Sequence, residues 1–189
     1  MYLGIPKFFW YSSVGDCNAM IIELLGPNLE KLLKLCGKKF SITTVAQLGV
    51  KMLEIIEHLH SKGFIHRDIK PDNFVIGNQE NVTSLYTIDF GLCKRYCDHD
   101  TGFHIPFREN MPLAGTVRYT SINSHFGFEQ SRRDDIESLA YVLIYLLKGK
   151  LPWQKLKGCN KKDKYNKIMY MKMSVPVEIL CKNLPRTHL

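Results

Sequence analysis

The segment FIHRDIKPDNFVIG, residues 64–77, constrains the fold more than any other part of the chain. It places Asp68, Lys70 and Asn73 on a short stretch between two apolar runs, and the TIDFG sequence that follows adds a second acid, Asp89. We expect the flanking apolar runs to be buried and to present these polar groups together on a loop.

Apolar residues at helical spacing predict three helices around this loop. The first follows Asn28 and ends before Gly37, with Leu29, Leu32, Leu33 and Cys36 on one face. The second begins at a Ser41 or Thr43 cap and ends at Gly63, and its apolar face is Val45, Leu48, Met52, Ile55 and Leu59. The third starts near Asp134 and is apolar on several faces, which predicts a central helix: Ile136, Leu139, Ala140, Leu143, Ile144 and Leu147.

Extended structure is expected near the front of the chain. Residues 1–25 read as strands, with NAMIIELL a buried strand that runs into Gly26-Pro27, and SLYTIDFG reads as a further short strand. The region from Cys93 to Gly127 is rich in polar residues, glycine and proline, which predicts an ordered loop system. The predicted fold class is therefore α+β and mainly α.

Length and composition fit one globular domain. The chain has 189 residues, of which 45% are hydrophobic and 23% charged. The sequence MYLGIPKFFW does not have the basic start and long apolar run of a signal peptide, and the longest apolar run, LAYVLIYLL, is too short to span a bilayer. We therefore expect no membrane span. The scattered cysteines predict reduced thiols rather than a disulfide or a zinc site.

The net charge of +8 is concentrated between Lys148 and Lys172, where Asp163 is the one acid among many lysines. One interpretation is a solvated surface. The other is a binding surface for acidic or phosphorylated partners, or for nucleic acid. Few aromatic residues interleave with these lysines, so nucleic acid is an unlikely partner.

The polar loop has the chemistry of metal-assisted phosphoryl transfer. Such a reaction depends mainly on positioning and on neutralising charge that spreads over the phosphate oxygens. Asp68 suits the residue that orients an attacking hydroxyl and accepts its proton, and Lys70 can reach the transferred phosphate. The amide oxygen of Asn73 and the carboxylate of Asp89 are hard ligands of the kind Mg²⁺ prefers.

The joint pattern H-R-D-x-K-x-x-N followed by D-F-G resembles the protein kinases. Within them, the chain looks like the casein kinase 1 family, through the stretches ELLGPNLEKLL, HIPFREN, GTVRYTSIN, EQSRRDD and LPWQ. The usual A-P-E motif is absent, and SIN at residues 121–123 stands in its place, as it does in that family. The resemblance extends from about Gly4 to Pro185.

The resemblance implies a Ser/Thr protein kinase that uses ATP and Mg²⁺. Asp68 would be the catalytic base, Lys70 a γ-phosphate contact, and Asn73 and Asp89 the magnesium ligands. The resemblance also implies a hinge whose backbone binds adenine, made of Ile22, Glu23, Leu24 and Leu25. Asp135 resembles the residue that ties the central helix to the catalytic loop backbone, although its position also suits a helix N-cap.

The family prefers acidic or already phosphorylated protein substrates, which it recognises at a basic anion site. The matching residues here are Arg118 and Lys164, with Lys155 in the place of a small glycine of the family. Lys155 adds charge to the pocket but can also crowd it.

The resemblance further implies a partial kinase domain. Residues 1–25 would be the last strands of the N-terminal lobe and the hinge, residues 26–189 an incomplete C-terminal lobe, and most of the N-terminal β lobe would be missing. The sequence contains no G-x-G pattern, so we expect weak or undetectable phosphoryl transfer by this chain alone.

Two hypotheses about the function therefore stay open. One is an active casein kinase 1-type enzyme, and the alternative is a catalytically inactive kinase-like module that binds acidic or phosphorylated partners. Either would be cytoplasmic, nuclear or both.

Overall fold

The computed structural model describes residues 3–78 and 81–184. The outermost residues of the predicted domain, including Pro185, lie outside the described part. The helices in the described part are α1 (Leu29–Leu35), α2 (Ile42–Ser61), α3 (Ile122–His125), α4 (Arg132–Lys148), α5 (Lys161–Ser174) and α6 (Val177–Leu180). The strands are β1 (Phe8–Val14), β2 (Cys17–Ile22), β3 (Phe64–Ile65), β4 (Phe74–Ile76), β5 (Leu85–Thr87) and β6 (Lys94–Arg95). The mixed, mainly helical fold class is confirmed.

The strands form small antiparallel pairs, in which β1 pairs with β2, β3 with β6 and β4 with β5. The predicted strand SLYTIDFG is shorter than expected, because β5 ends at Thr87. The chain then turns at Asp89, which has a left-handed backbone (φ 64°), into a 3₁₀ turn over Phe90–Leu92. The second acid of the polar loop therefore lies on a turn and not on a strand.

The core lies between α2 and α4, with α1 and the short strands packed against them. Met52 of α2 and Val142 and Leu146 of α4 are completely buried. The predicted apolar face of α2 is confirmed at Val45, Met52, Ile55 and Leu59. These two helices form the rigid body against which the polar loop is held.

Helix α4 differs from its prediction in which residues it buries. Ile136 is 43% exposed, whereas the neighbouring acids Asp134 and Asp135 are buried. The helix begins after Ser131, whose backbone N–H donates to the Asp134 carboxylate at 2.7 Å. The N-cap interpretation of Asp135 is therefore wrong, because Asp135 lies within the first turn of the helix.

The hairpin β1–β2 exposes apolar side chains, including Phe8, Phe9, Trp10 and Met20, the last with 63% exposure. The strands pair with each other and no third strand joins them within the described part of the chain. An isolated two-stranded hairpin is marginally stable in water. The prediction that NAMIIELL is a buried strand is therefore wrong: Ile21 is 53% exposed, because no neighbouring element covers the hairpin within the described residues.

Among the residues that the structure describes, no helix is both long and apolar enough to cross a bilayer.

Candidate active site

The polar loop is positioned by short backbone pairings on both sides. Strand β3 leads into it, and a 3₁₀ turn over Pro71–Asn73 connects it to β4. The Ile88 N–H donates to the Asn73 carbonyl at 2.9 Å, which continues the β4–β5 pairing by one step. Asp89 comes next in the chain, so the two predicted magnesium ligands lie on neighbouring backbone segments.

The Asp68 carboxylate is the most densely bonded group of the loop. Its Oδ1 accepts hydrogen bonds from the backbone N–H of Thr116 (2.8 Å) and from the Thr116 hydroxyl (2.7 Å). Its Oδ2 accepts one from the Lys70 ammonium at 2.5 Å. The Asn73 amide donates to the Asp68 carbonyl at 3.0 Å. The structure thus brings together the three residues predicted to be catalytic.

These bonds determine the protonation state of Asp68. Burial alone raises the pKa of Asp68, but the hydrogen bonds from Lys70 and Thr116 and the charge of Lys70 outweigh it, so that the pKa lies below its usual 3.8. The carboxylate is therefore ionised at neutral pH. A weakly basic, fixed carboxylate suits the orientation of a hydroxyl better than strong proton abstraction.

A buried acid on α4 holds the backbone of the loop. Asp135 is 2% exposed, and its two oxygens accept the backbone N–H groups of His66 (2.8 Å) and Arg67 (2.9 Å). Nε2 of His60 also donates to Asp135, at 2.9 Å. Arg67 has a left-handed backbone (φ 66°), a conformation that L-residues adopt at a cost. As predicted, Asp135 ties the central helix to the loop backbone.

His66 is buried in its neutral form beneath the loop. Burial lowers the pKa of His66, despite the nearby carboxylate of Asp135. Its Nδ1 accepts the Asp68 N–H at 3.3 Å, so the ring proton lies on Nε2, which faces the Ile88 carbonyl at 3.3 Å. This ring therefore links the backbone N–H of Asp68 to the carbonyl of Ile88, the residue that precedes Asp89.

Thr116 reaches Asp68 because a glycine precedes it. Gly115 has φ 90°, and a side chain there would place Cβ 2.4 Å from the Arg67 carbonyl oxygen. Only glycine allows both this backbone conformation and this close approach. The pairing of Thr116 with Asp68 was not predicted from the sequence, although the Gly-Thr pair was part of the stretch that carried the family resemblance.

The donor set of Asn73 and Asp89 fits a magnesium ion. Both hydrogen bonds of the Asn73 amide group are donated by its nitrogen to Asp68, so within the described part of the chain its oxygen is free to act as a metal ligand. Asp89 is exposed, and its contact is a 3.4 Å hydrogen bond from the Gly91 N–H. One carboxylate and one amide oxygen, completed by phosphate and water, suit Mg²⁺. Residues 3–78 and 81–184 contain no cluster of three or more His, Cys, Asp or Glu side chains that could hold a metal by themselves.

The predicted hinge joins the hairpin to the rest of the molecule. The Glu23 N–H donates to the Lys7 carbonyl at 2.8 Å, and the Gly26 N–H donates to the Ile76 carbonyl at 2.9 Å. Between them, Leu25 is half-buried, and its backbone groups have no hydrogen-bond partner among the residues described. Ile22, the last residue of β2, is 39% exposed. A backbone donor and acceptor without a partner, as at Leu25, are what an adenine ring would require.

The segments of the predicted anion site are neighbours. The Trp153 indole donates to the Arg118 carbonyl at 2.7 Å, which places the LPWQ loop beside Arg118. The Arg118 guanidinium lies 5.5 Å from the ring centre of Tyr119 and 5.6 Å from that of Tyr145. Lys155 and Lys164 are exposed, and Lys155 has a left-handed backbone (φ 71°), as a glycine in its place would have. The structure does not place the three charged groups in contact with one another.

A sequence model of the protein kinase domain matches residues 10–186. The match covers nearly the whole chain and includes every residue predicted for the site, from Ile22 to Lys164. The chain therefore belongs to the protein kinase family.

Proposed function

We propose that this protein is a Ser/Thr kinase of the casein kinase 1 type, which transfers the γ-phosphate of ATP to acidic or pre-phosphorylated protein substrates. The observation that carries the proposal is the Asp68 carboxylate, which is held in its ionised form by Lys70 and Thr116 next to Asn73.

In this proposal Asp68 orients the substrate hydroxyl and accepts its proton. Lys70 is 21% exposed, so its ammonium can face a phosphate while it remains beside Asp68. Its charge would stabilise the negative charge that develops during transfer. Thr116 keeps the carboxylate from rotating, and Asp135 keeps the loop backbone in place.

Asn73 and Asp89 would hold Mg²⁺, which when bound neutralises charge on the phosphates. Ile22, Glu23 and Leu25 would bind the adenine ring, mainly through the free backbone groups of Leu25. ATP and magnesium are general requirements of the protein kinase domain, to which the chain belongs.

The preference for acidic or phosphorylated substrates rests on Arg118, Lys155 and Lys164. Thr116 is bonded to Asp68, and Arg118 follows it by two residues in the chain. A substrate held at Arg118 would therefore lie near Asp68. Exposed lysines at the start of α5 enlarge the positive surface. We place this activity in the cytoplasm, the nucleus or both.

The test is transfer of radioactive phosphate from ATP to casein in the presence of magnesium. Labelling, even if weak, should fall by about a hundredfold or more in Asp68→Asn and Asp89→Asn. Asp100→Asn is the matched control, because Asp100 is 89% exposed and lies away from the site. Equal labelling by the wild-type protein and Asp89→Asn would contradict the proposal.

The alternative is an inactive module that binds acidic or phosphorylated proteins. The exposed lysines of α5 favour it, because they offer a positive surface that needs no nucleotide. A thermal-shift measurement with millimolar Mg²⁺-ATP separates the two functions. No shift, together with binding of phosphorylated casein that Lys164→Gln weakens and Lys31→Gln does not, would support the module.

A further inference from the structure

Helix α5 buries a lysine that no part of the proposed reaction uses. Lys172 is 5% exposed, and together with Ile168, four residues earlier, it forms the buried face of the helix. Burial lowers the pKa of Lys172 to about 7, although Glu137 on α4 raises it. A lysine in such a place costs free energy unless its donors are all satisfied.

Two of the three donors of Lys172 are directed at one backbone segment, residues 116–120. Its Nζ donates to the Val117 carbonyl at 3.0 Å and to the Thr120 carbonyl at 2.5 Å. The third neighbour is Nε2 of His125, at 3.3 Å, on α3. Burial lowers the pKa of His125 to about 4, so this ring is neutral and can accept. The ammonium thus has three acceptors for its three N–H groups.

Aromatic rings complete the site around the ammonium. Nζ of Lys172 lies 5.0 Å from the ring centre of Tyr141 and 5.4 Å from that of Trp153. The faces of such rings attract a cation. The indole N–H of Trp153 donates to the carbonyl of Arg118, which lies between the two residues that Lys172 bonds.

The same segment contacts Asp68 through its other end, at Thr116. The Thr116 carbonyl accepts the N–H groups of Tyr119 (2.8 Å) and Thr120 (3.0 Å), which closes a turn. Three carbonyls of the segment accept hydrogen bonds on the side that faces α5: those of Val117 and Thr120 from Lys172, and that of Arg118 from Trp153. The Thr116 N–H and hydroxyl point to Asp68. The segment is therefore fixed between α5 and the catalytic loop, and buried carbonyls of this kind need such partners.

We propose that Lys172 is a positioning residue, whose bonds to the Val117 and Thr120 carbonyls set the segment 116–120 and through Thr116 the orientation of Asp68. The effect of Lys172 on catalysis by Asp68 rests on the proposed kinase function. The anchoring of the segment itself does not, and can be measured without catalysis.

The experiment compares Lys172→Met, which keeps the apolar stem and removes the donors, with Lys167→Met, an exposed lysine of the same helix. Hydrogen exchange of peptides covering residues 112–121 should become about tenfold faster in Lys172→Met and stay unchanged in the control, since two hydrogen bonds are lost. Exchange in α2 should stay unchanged in both. Equal exchange of the segment in the two variants would overturn the proposal.

Trp153 supplies a second measurement in the same variants. In a Trp10→Phe background its fluorescence reports on the ring beside Lys172, and it should change in Lys172→Met but not in Lys167→Met. Should Lys172→Met not fold, Lys172→Leu, which also removes every donor, carries the same comparison. Protection of the segment equal to that of the wild-type protein would then overturn the proposal.

Phosphate transfer to casein separates the anchoring of residues 116–120 by Lys172 from its effect on Asp68 in the proposed kinase. Lys172→Met should lower kcat with little change in the KM for ATP, because Asp68 is misoriented and the hinge is untouched. If neither the wild-type protein nor the variants label casein, the kinase proposal fails while the exchange result still decides on Lys172. Loss of segment protection with kcat unchanged would overturn the link to Asp68.

Discussion

Replacement of Asp135 by asparagine tests how the catalytic loop is held. The carboxylate accepts three hydrogen bonds within 2.9 Å, from the backbone of His66 and Arg67 and from the ring of His60. An amide keeps one oxygen, which can still accept the Arg67 N–H. Its nitrogen is a donor, and it would face the donor N–H of His66.

The magnitude follows from the burial of these groups. Hydrogen bonds to a charged acceptor contribute roughly 1.5–3 kcal/mol each, and a buried donor without a partner costs about 1–3 kcal/mol. Asp135→Asn should therefore lower the free energy of unfolding by about 2–4 kcal/mol. Asp135→Ala, which leaves two backbone N–H groups without an acceptor, should lower it by about 3–5 kcal/mol. Both are large fractions of the 5–15 kcal/mol typical of a domain.

Urea unfolding followed by circular dichroism measures the difference, provided that the variants share one m-value. Asp100→Asn is the control, because its carboxylate is 89% exposed and should change stability by less than about 0.5 kcal/mol. An Asp135→Asn protein as stable as this control would refute the idea that α4 holds the loop through this carboxylate.

Three further outcomes are expected. Lys155→Gly should raise the free energy of unfolding by about 0.5–1 kcal/mol in urea, because relief of the left-handed backbone (φ 71°) outweighs the added flexibility of glycine. Thr116→Val should raise the pKa of Asp68 and slow labelling of casein by about tenfold, since the carboxylate loses the hydrogen bond from the Thr116 hydroxyl. Stability should fall as the pH drops below 3.8, because the pKa of Asp68 is lower in the folded than in the unfolded chain; Asp68→Asn should reduce that pH dependence in acid titrations followed by circular dichroism.

Much of the helical architecture could be predicted from the spacing of apolar residues. Helix α2 is the clearest example, because apolar residues at three- and four-residue steps all lie on one face of an α-helix. Its end at Ser61, close to Gly63, also follows from the sequence. The grouping of Asp68, Lys70 and Asn73 on one loop was also predictable, because these residues lie within a few positions of one another in the sequence.

The partners of the site could not be predicted in this way. Asp68 is bonded to Thr116, and His60 to Asp135, across 48 and 75 residues of chain. No local pattern encodes such contacts, because they depend on how separate elements pack. The burial of Asp135 and Lys172 was missed for a related reason. A charged residue is predicted to be exposed unless its hydrogen-bond partners are known, because charged side chains are seldom buried without them.

The anchoring of residues 116–120 through main-chain oxygens affects how this protein tolerates change. Every amino acid carries a carbonyl, so substitution of the side chains at Val117 or Arg118 removes none of the bonds made by Lys172 and Trp153. The shape of the segment and the chemistry of its exposed side chains can therefore be altered separately. Replacement of Arg118 should therefore alter the proposed anion site and leave the geometry around Asp68 unchanged.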